Sequence, residues 1–283
     1  MQTFHTIAEW QVYLSAQKGR KIAFIPTMGA LHQGHLDLVR AAQKEDSTAI
    51  TVCSIFVNPT QFGDPKDLEK YPRTEQVDAD LLANIGCEVL FLPSVAEVYP
   101  ADWQTPAFDF GDLATTMEGA SRIGHFAGVG QVVHRLLSIV KPDYLYLGQK
   151  DYQQVAVIKD MVYRQLGWAD IKVVMVATAR EADGLAMSSR NVRLSPTGRA
   201  AAAGISQTLF AARELSKQAA APLDVQQFVI DEYKKLGFDV DYVALVNATS
   251  LAPISAWPQQ NNNAVCCVVV KIDGVRLLDN ILL

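Results

Sequence analysis

Nothing in this chain is long and apolar enough to lie across a bilayer. Its longest apolar run, Ala264–Val270, falls far short of the roughly 20 residues that a spanning helix needs. The segment Met1–His5 lacks a basic stretch with an apolar one behind it, and Thr6 with Glu9 reads as a helix capping box instead. Cysteine is scarce. Cys53, Cys87, Cys266 and Cys267 show no C-x-x-C spacing, which argues against a disulfide framework or zinc knuckle and for buried packing thiols. A surplus of basic charge is missing too: 25 Lys and Arg against 30 Asp and Glu leave a net charge of -5, and no long basic run appears. Nucleic acid and membrane are therefore not expected partners. The absence of G-x-G-x-x-G, H-E-x-x-H and G-x-S-x-G withdraws support from dinucleotide oxidoreduction, zinc hydrolysis and serine acyl-enzyme chemistry. What remains is a cytoplasmic globular protein, 49% hydrophobic and 19% charged.

At 283 residues there is room for one large domain or two modest ones. Strand-like apolar runs at 21–25, 49–57, 88–92, 143–147 and 171–176 alternate with amphipathic helical patterns, among them 74–85, 129–140 and 151–166. Continuous apolar strands separated by helices predict a doubly wound, Rossmann-like α/β fold. Its parallel sheet is covered on both faces, with ligands at the carboxyl edge of the strands. After about residue 180 the pattern changes. A helix capped by Ser195 with Pro196 at its first position runs to about Gln218, and a second spans 223–236. Strands at 240–246, 264–272 and 275–278 follow, the last two joined by an Asp273–Gly274 turn. The expected division is a Rossmann-like domain over residues 1–178 and a smaller C-terminal α+β cap domain over 179–283.

The most informative stretch is His32-Gln33-Gly34-His35, placed where a strand should turn into a helix. Leu36, Leu38, Val39 and Ala42 continue it as a helical apolar stripe, so the two histidines share one face of the first turn. A helix N-terminus offers unpaired N–H groups and partial positive charge, which suits phosphate. Gly29 and Gly34 would let a polyphosphate approach the backbone, and two imidazoles can donate to its oxygens. An H-x-x-H pair alone would more often be a solvated or capped surface; the preceding strand, turn and glycines favour the phosphate reading.

Three further polar clusters follow strand ends or the domain junction: Asn58-Pro59-Thr60-Gln61-Phe62, Gly148-Gln149-Lys150-Asp151 with Gln153 and Gln154, and Met187-Ser188-Ser189-Arg190-Asn191. Lys150 and Arg190 add cationic donors to His32 and His35, a set suited to attack at an α-phosphorus with pyrophosphate leaving. Asp151, and less strongly Asp78, could position Mg²⁺; the alternative for Asp151 is an N-cap, and a carboxylate placed like Asp78 is more often the wet face of its helix. Gln61 and Gln154 are neutral donor–acceptors for a small polar substrate, with Asn58 beside Gln61 on that side. Gly119–His125 has P-loop spacing but His125 in place of the required Lys. With Gly128 and Gly130 it reads as a mobile flap carrying Arg122 and His125.

Six blocks in order carry a family resemblance. They are Pro26–His35, Phe56–Phe62, Tyr71-Pro72-Arg73-Thr74, Glu118–Arg122, Lys150–Gln154 and Asp183–Asn191. Together they resemble the pantothenate synthetases, the pantoate–β-alanine ligases of the nucleotidylyltransferase superfamily, over nearly the whole chain. The resemblance implies an ATP-dependent condensation of pantoate with β-alanine through a pantoyl adenylate, releasing AMP and pyrophosphate. The implied ATP contacts are Met28, Gly29, Ala30, Leu31, His32, Gln33, Gly34 and His35, then Gly148, Gln149, Lys150 and Asp151, then Met187, Ser188, Ser189 and Arg190, with adenine near the backbone of Ala179. It makes His35 a proton donor, gives Gln61 and Gln154 to pantoate, and implies Mg²⁺ and a homodimer. Gln149 stands where the family often has Glu. The nearest alternative is a nucleotidylyltransferase that stops after nucleotidyl transfer; a nucleotide sensor and a tRNA ligase are weaker alternatives.

Overall fold

Strands with β-branched and apolar residues at every position form a sheet that must be covered on both faces. The computed structural model describes residues 1–62, 68–69, 71–104, 106–218, 220–259 and 263–283. Its contacts divide the chain into one unit of Met1–Gly148 with Val157–Val176 and another of Gln149–Ala156 with Ala177–Leu283. The fold class is the expected one: a parallel sheet flanked by helices, and a smaller α+β unit with an antiparallel sheet.

The first unit contains β1 (Gln2–Phe4), α1 (Ile7–Ala16), β2 (Ile22–Thr27), α2 (Gln33–Glu45), β3 (Ile50–Ile55), α3 (Glu75–Asn84), β4 (Val89–Phe91), α4 (His125–Val140), β5 (Tyr144–Gly148) and β6 (Lys172–Val176). All its strand pairings are parallel, in the order β1-β4-β3-β2-β5-β6. Beyond the expected five strands lies β1, three residues at the sheet edge and too short for a periodic signal. The order reverses at β2, whose carboxyl end is the topological switch point where such sheets bind ligands. β2 pairs with β5 only at Ala23 and Phe24, whereas its pairing with β3 continues to Thr27. Pro26, with no N–H to donate, falls just beyond the point where β2 and β5 part. There, at the carboxyl edge, the pairing of β2 with β5 ends while that with β3 continues. Ile25, Leu36, Val39, Cys53 and Leu90 belong to one buried cluster. Each such side chain contributes on the order of 1.5–3 kcal/mol by leaving water.

In the second unit α6 (Pro196–Lys217) and α7 (Pro222–Lys235) pack with β7 (Asp239–Asn247), β8 (Ala264–Ile272) and β9 (Val275–Leu282). The helix α5 (Tyr152–Lys159) starts in this unit and ends in the first. Ser195 caps α6 by accepting from Gly198 N–H, as its sequence suggests. Asp273 and Gly274 both have positive φ, which builds the tight β8–β9 turn. β9 runs four residues past its expected end at Leu278, because Asp279 and Asn280 are buried polar residues inside a strand. All four cysteines are buried.

Candidate active site

His32 adopts an extended conformation (φ -130°, ψ 174°) and is the N-cap of α2. Its Nδ1 accepts the Gly34 N–H at 3.2 Å, and the His35 Nδ1 accepts the His32 N–H at 3.2 Å. The two imidazoles therefore form a reciprocal capping box, a task usually done by Ser or Thr with Glu. Because each Nδ1 is an acceptor, the neutral rings carry their proton on Nε2. Both Nε2 atoms are thus donors, on rings 4.2 Å apart at the positive end of a 13-residue helix. The donors this helix start offers are therefore side-chain Nε2–H groups.

The loop backbone is directed differently. Gly29 (φ +82°) and Ala30 (φ +50°) turn the chain so that the N–H groups of Ala30 and Leu31 point into the protein. They donate to the two carboxylate oxygens of Asp78, at 2.9 and 2.8 Å. A Cβ on Gly29 would lie 3.0 Å from Ile55 and 3.1 Å from Asp78. Asp78, expected as a metal ligand, is 1% exposed and also accepts the Thr74 hydroxyl at 3.1 Å. It is a buried brace, because both oxygens are taken by donors of its own unit.

After β3 the chain forms a single tight turn, Pro59–Gln61. Asn58, expected on the substrate side, is 1% exposed and lies behind this turn. Its Nδ2 donates to Gln61 Oε1 (3.2 Å) and Gly128 O (3.3 Å), and its Oδ1 accepts from Tyr99 OH (3.0 Å) and the Thr60 hydroxyl (3.1 Å). Gln61 in turn donates to Met28 Sδ at 2.8 Å, so the structure brings the 28–35 loop and the Gln61 turn together.

The expected glycine-rich flap is instead helical. Glu118–Ser121 makes one turn and His125 opens α4, where a Cβ on Gly128 would sit 2.5 Å from Thr60 O and one on Gly130 2.8 Å from Phe110. These glycines serve close packing. Arg122 reaches His125 Nε2 at 3.1 Å, and since a guanidinium only donates, His125 Nδ1–H is left to donate to Gln61 O at 3.2 Å.

In the second unit Lys150, Ser188 and Arg190 line one pocket, with Asn191 and Asp279. Ala179 O accepts the Met187 N–H at 2.9 Å, tying the expected adenine segment to the Met187–Arg190 loop. Ser188 Oγ accepts the Arg190 N–H at 3.2 Å, and Asn191 donates to Ala186 O at 3.1 Å. The Asp151 side chain is half-exposed, its carboxylate 3.7 Å from Lys150 Nζ. Gln154 is half-buried on the first turns of α5. Tyr152 donates to Ala248 O at 2.8 Å, and burial pushes its phenol up to about 12.

Asn280 is the residue that sequence reasoning missed. Its Nδ2 donates to Gln149 O (2.9 Å) and Lys150 O (2.8 Å), while its Oδ1 accepts from Gln149 Nε2 (3.1 Å). Gln149 is thereby tied to β9, and a Glu there would set a carboxylate against the Asn280 oxygen. The neighbouring Asp279 is held bidentately by Arg180 at 2.6 and 3.0 Å, although burial lifts its carboxyl above the usual range. The only hint in the sequence was a polar pair interrupting an apolar strand.

A helix capped by a histidine pair at the switch point of a parallel sheet defines a Rossmann-like α/β protein. The chain belongs to the pantoate–β-alanine ligase family, whose family model, Pantoate-beta-alanine ligase, matches residues 2–282. It is 45% identical to the pantothenate synthetase of Porphyromonas gingivalis over 284 residues, covering 99% of both chains. It is 44% identical to that of Pelotomaculum thermopropionicum over 287 residues, 100% of this chain and 99% of the relative. The crystal structure of pantothenate synthetase from Thermus thermophilus matches with a TM-score of 0.91 at 41% identity, over 99% of each chain. Pantoate-beta-alanine ligase from Francisella tularensis, complexed with beta-gamma ATP and beta-alanine, matches with a TM-score of 0.77 at 34% identity, over 100% of this chain and 97% of that one.

Proposed function

We propose that this chain condenses (R)-pantoate with β-alanine at the expense of ATP. The pantoate carboxylate attacks the α-phosphorus and pyrophosphate leaves; the β-alanine amine then attacks the acyl carbon of the pantoyl adenylate, and AMP leaves. The observation that carries the reading is the paired-imidazole cap at the switch point of a chain matched end to end by this family. Met28–His35 of the first unit are assigned to ATP, with the Nε2–H groups of His32 and His35 donating to oxygens that gain charge as pyrophosphate departs. Gly148–Asp151, Ala179 and Met187–Arg190 supply the remaining nucleotide contacts, Lys150 and Arg190 as cations. Gln61 and Gln154 orient pantoate, and no covalent enzyme nucleophile is required because the adenylate is already activated. Residues 1–178 are assigned as the nucleotide- and pantoate-binding domain, and 179–283 as the smaller C-terminal α+β cap domain.

Among the described residues no group of three His, Cys, Asp or Glu is arranged to hold a metal. The half-exposed Asp151 fits the smaller demand of Mg²⁺ carried by phosphates, which takes one or two carboxylates. Such an ion would neutralise phosphate charge; Asp151 would hold it. A homodimer and a cytoplasmic location complete the proposal.

The test is product release from ATP–Mg²⁺. Pyrophosphate equal to the enzyme present with pantoate alone, becoming sustained AMP release when β-alanine is added, is expected. Turnover independent of pantoate would refute the acyl substrate.

A further inference from the structure

We propose that Asp78 is the positioning residue that sets the geometry of the ATP loop; this rests on the reading of 28–35 as that loop. A carboxylate removed from water is costly unless donors replace the lost hydration. Asp78 is 1% exposed, and its replacements are the consecutive N–H groups of Ala30 and Leu31 and the hydroxyl of Thr74. Two adjacent amides reach one carboxylate only because Gly29 and Ala30 both hold positive φ. For Ala30, which has a Cβ, that conformation is strained, so it needs a reason in its surroundings. The carboxylate supplies the reason.

The consequence lies one residue further on. With the Leu31 amide pinned, the chain enters His32 in the extended conformation that caps α2. That cap fixes the His35 ring through the His32 N–H and aims both Nε2 donors. Asp78 thus acts on the imidazoles through the loop and touches no reacting atom. An apolar residue could fill the same space but could not hold two amides inward. The pyrophosphate-facing donors would then lose their fixed direction, and preorganisation is what makes such donors effective.

The test is Asp78→Asn in the full chain, which keeps shape but sets an NH₂ against an N–H. Amide exchange at Ala30 and Leu31 should accelerate at least ~10-fold, with α4 amides unchanged, and kcat/KM for ATP should fall at least ~30-fold while KM for pantoate stays within about twofold. A merely structural role would speed the local exchange but would leave this kinetic split unmoved. Should Asp78→Asn fail to fold, Thr74→Val, which removes only the third donor, keeps the test: KM for ATP should rise about two- to fivefold. Unchanged protection at Ala30 and Leu31, or lost protection with unchanged kinetics toward ATP, overturns the proposal. A wild-type chain without ATP-dependent activity would instead remove the functional reading, and the brace would still be judged by exchange.

Discussion

The two loops assigned to ATP are held by buried side chains of opposite character. In the first unit a carboxylate, Asp78, takes two consecutive N–H groups, those of Ala30 and Leu31. In the second an amide, Asn280, gives its NH₂ to two consecutive carbonyls, those of Gln149 and Lys150. The difference follows from what each loop must present. Turning carbonyls inward at 149–150 removes acceptors that would repel an anion from a loop whose Lys150 lines a pocket with Ser188 and Arg190. Turning amides inward at 30–31 gives up backbone donors, and on the proposed function the imidazole Nε2–H groups replace them. On that proposal the first loop is a stand for side-chain donors, unlike a P-loop whose own N–H groups hold the phosphates.

Three changes sharpen or break this comparison. The largest effect is expected from His35→Ala, which removes an Nε2 donor and the acceptor for the His32 N–H: kcat should fall at least ~100-fold in a chain whose circular dichroism is unchanged. Steady-state AMP release measures it, and near wild-type turnover would contradict the role. Next comes Asn280→Asp, the mirror of the Asp78 exchange. It sets an acceptor against two carbonyls, leaving them unpaired at a cost of about 1–3 kcal/mol, and KM for ATP should rise about 10-fold. Equal ATP kinetics in both chains would mean that the second loop needs no anchor.

The smallest effect is a control outside both loops. Burial among Trp103, Phe108 and Trp168 pushes the His134 imidazole below its ordinary value. The unfolded chain then takes up the proton first, so stability is complete above about pH 6.5 and falls as pH drops below it, by up to ~1.4 kcal/mol per unit until the folded group titrates. His134→Phe should remove this part of the slope between pH 7 and 5 in urea titrations, without changing KM for ATP at neutral pH. A parallel change in ATP binding would show that loop and core are not separable.

Much of this was legible in the residues. Ile22–Thr27 and Ile50–Ile55 announce themselves as parallel strands because nearly every position is apolar or β-branched, and Leu36, Leu38, Val39 and Ala42 mark the buried face of α2. Ser195-Pro196 and Asp273-Gly274 have local causes and fall where expected. Polar residues inside the protein were harder to read. Asp78 sits at helical spacing among exposed Glu75 and Gln76, so periodicity places it in solvent; only its distant partners Ala30 and Leu31 reveal its place. Asn58, in a Pro-containing turn, looks like a ligand group and is a buried hub. Glycine density at 119–130 reads as mobility, while the packing of Gly128 on Thr60 and Gly130 on Phe110 makes it closeness. Composition cannot distinguish these, because a glycine permits both.

The most direct measurement is exchange of labelled pyrophosphate into ATP in the presence of pantoate and Mg²⁺ without β-alanine. The account predicts exchange that requires pantoate and is lost in His35→Ala, because adenylation is reversible and precedes the amine. Exchange that appears only when β-alanine is present would contradict a free-standing adenylate, and with it the role given to the paired imidazoles.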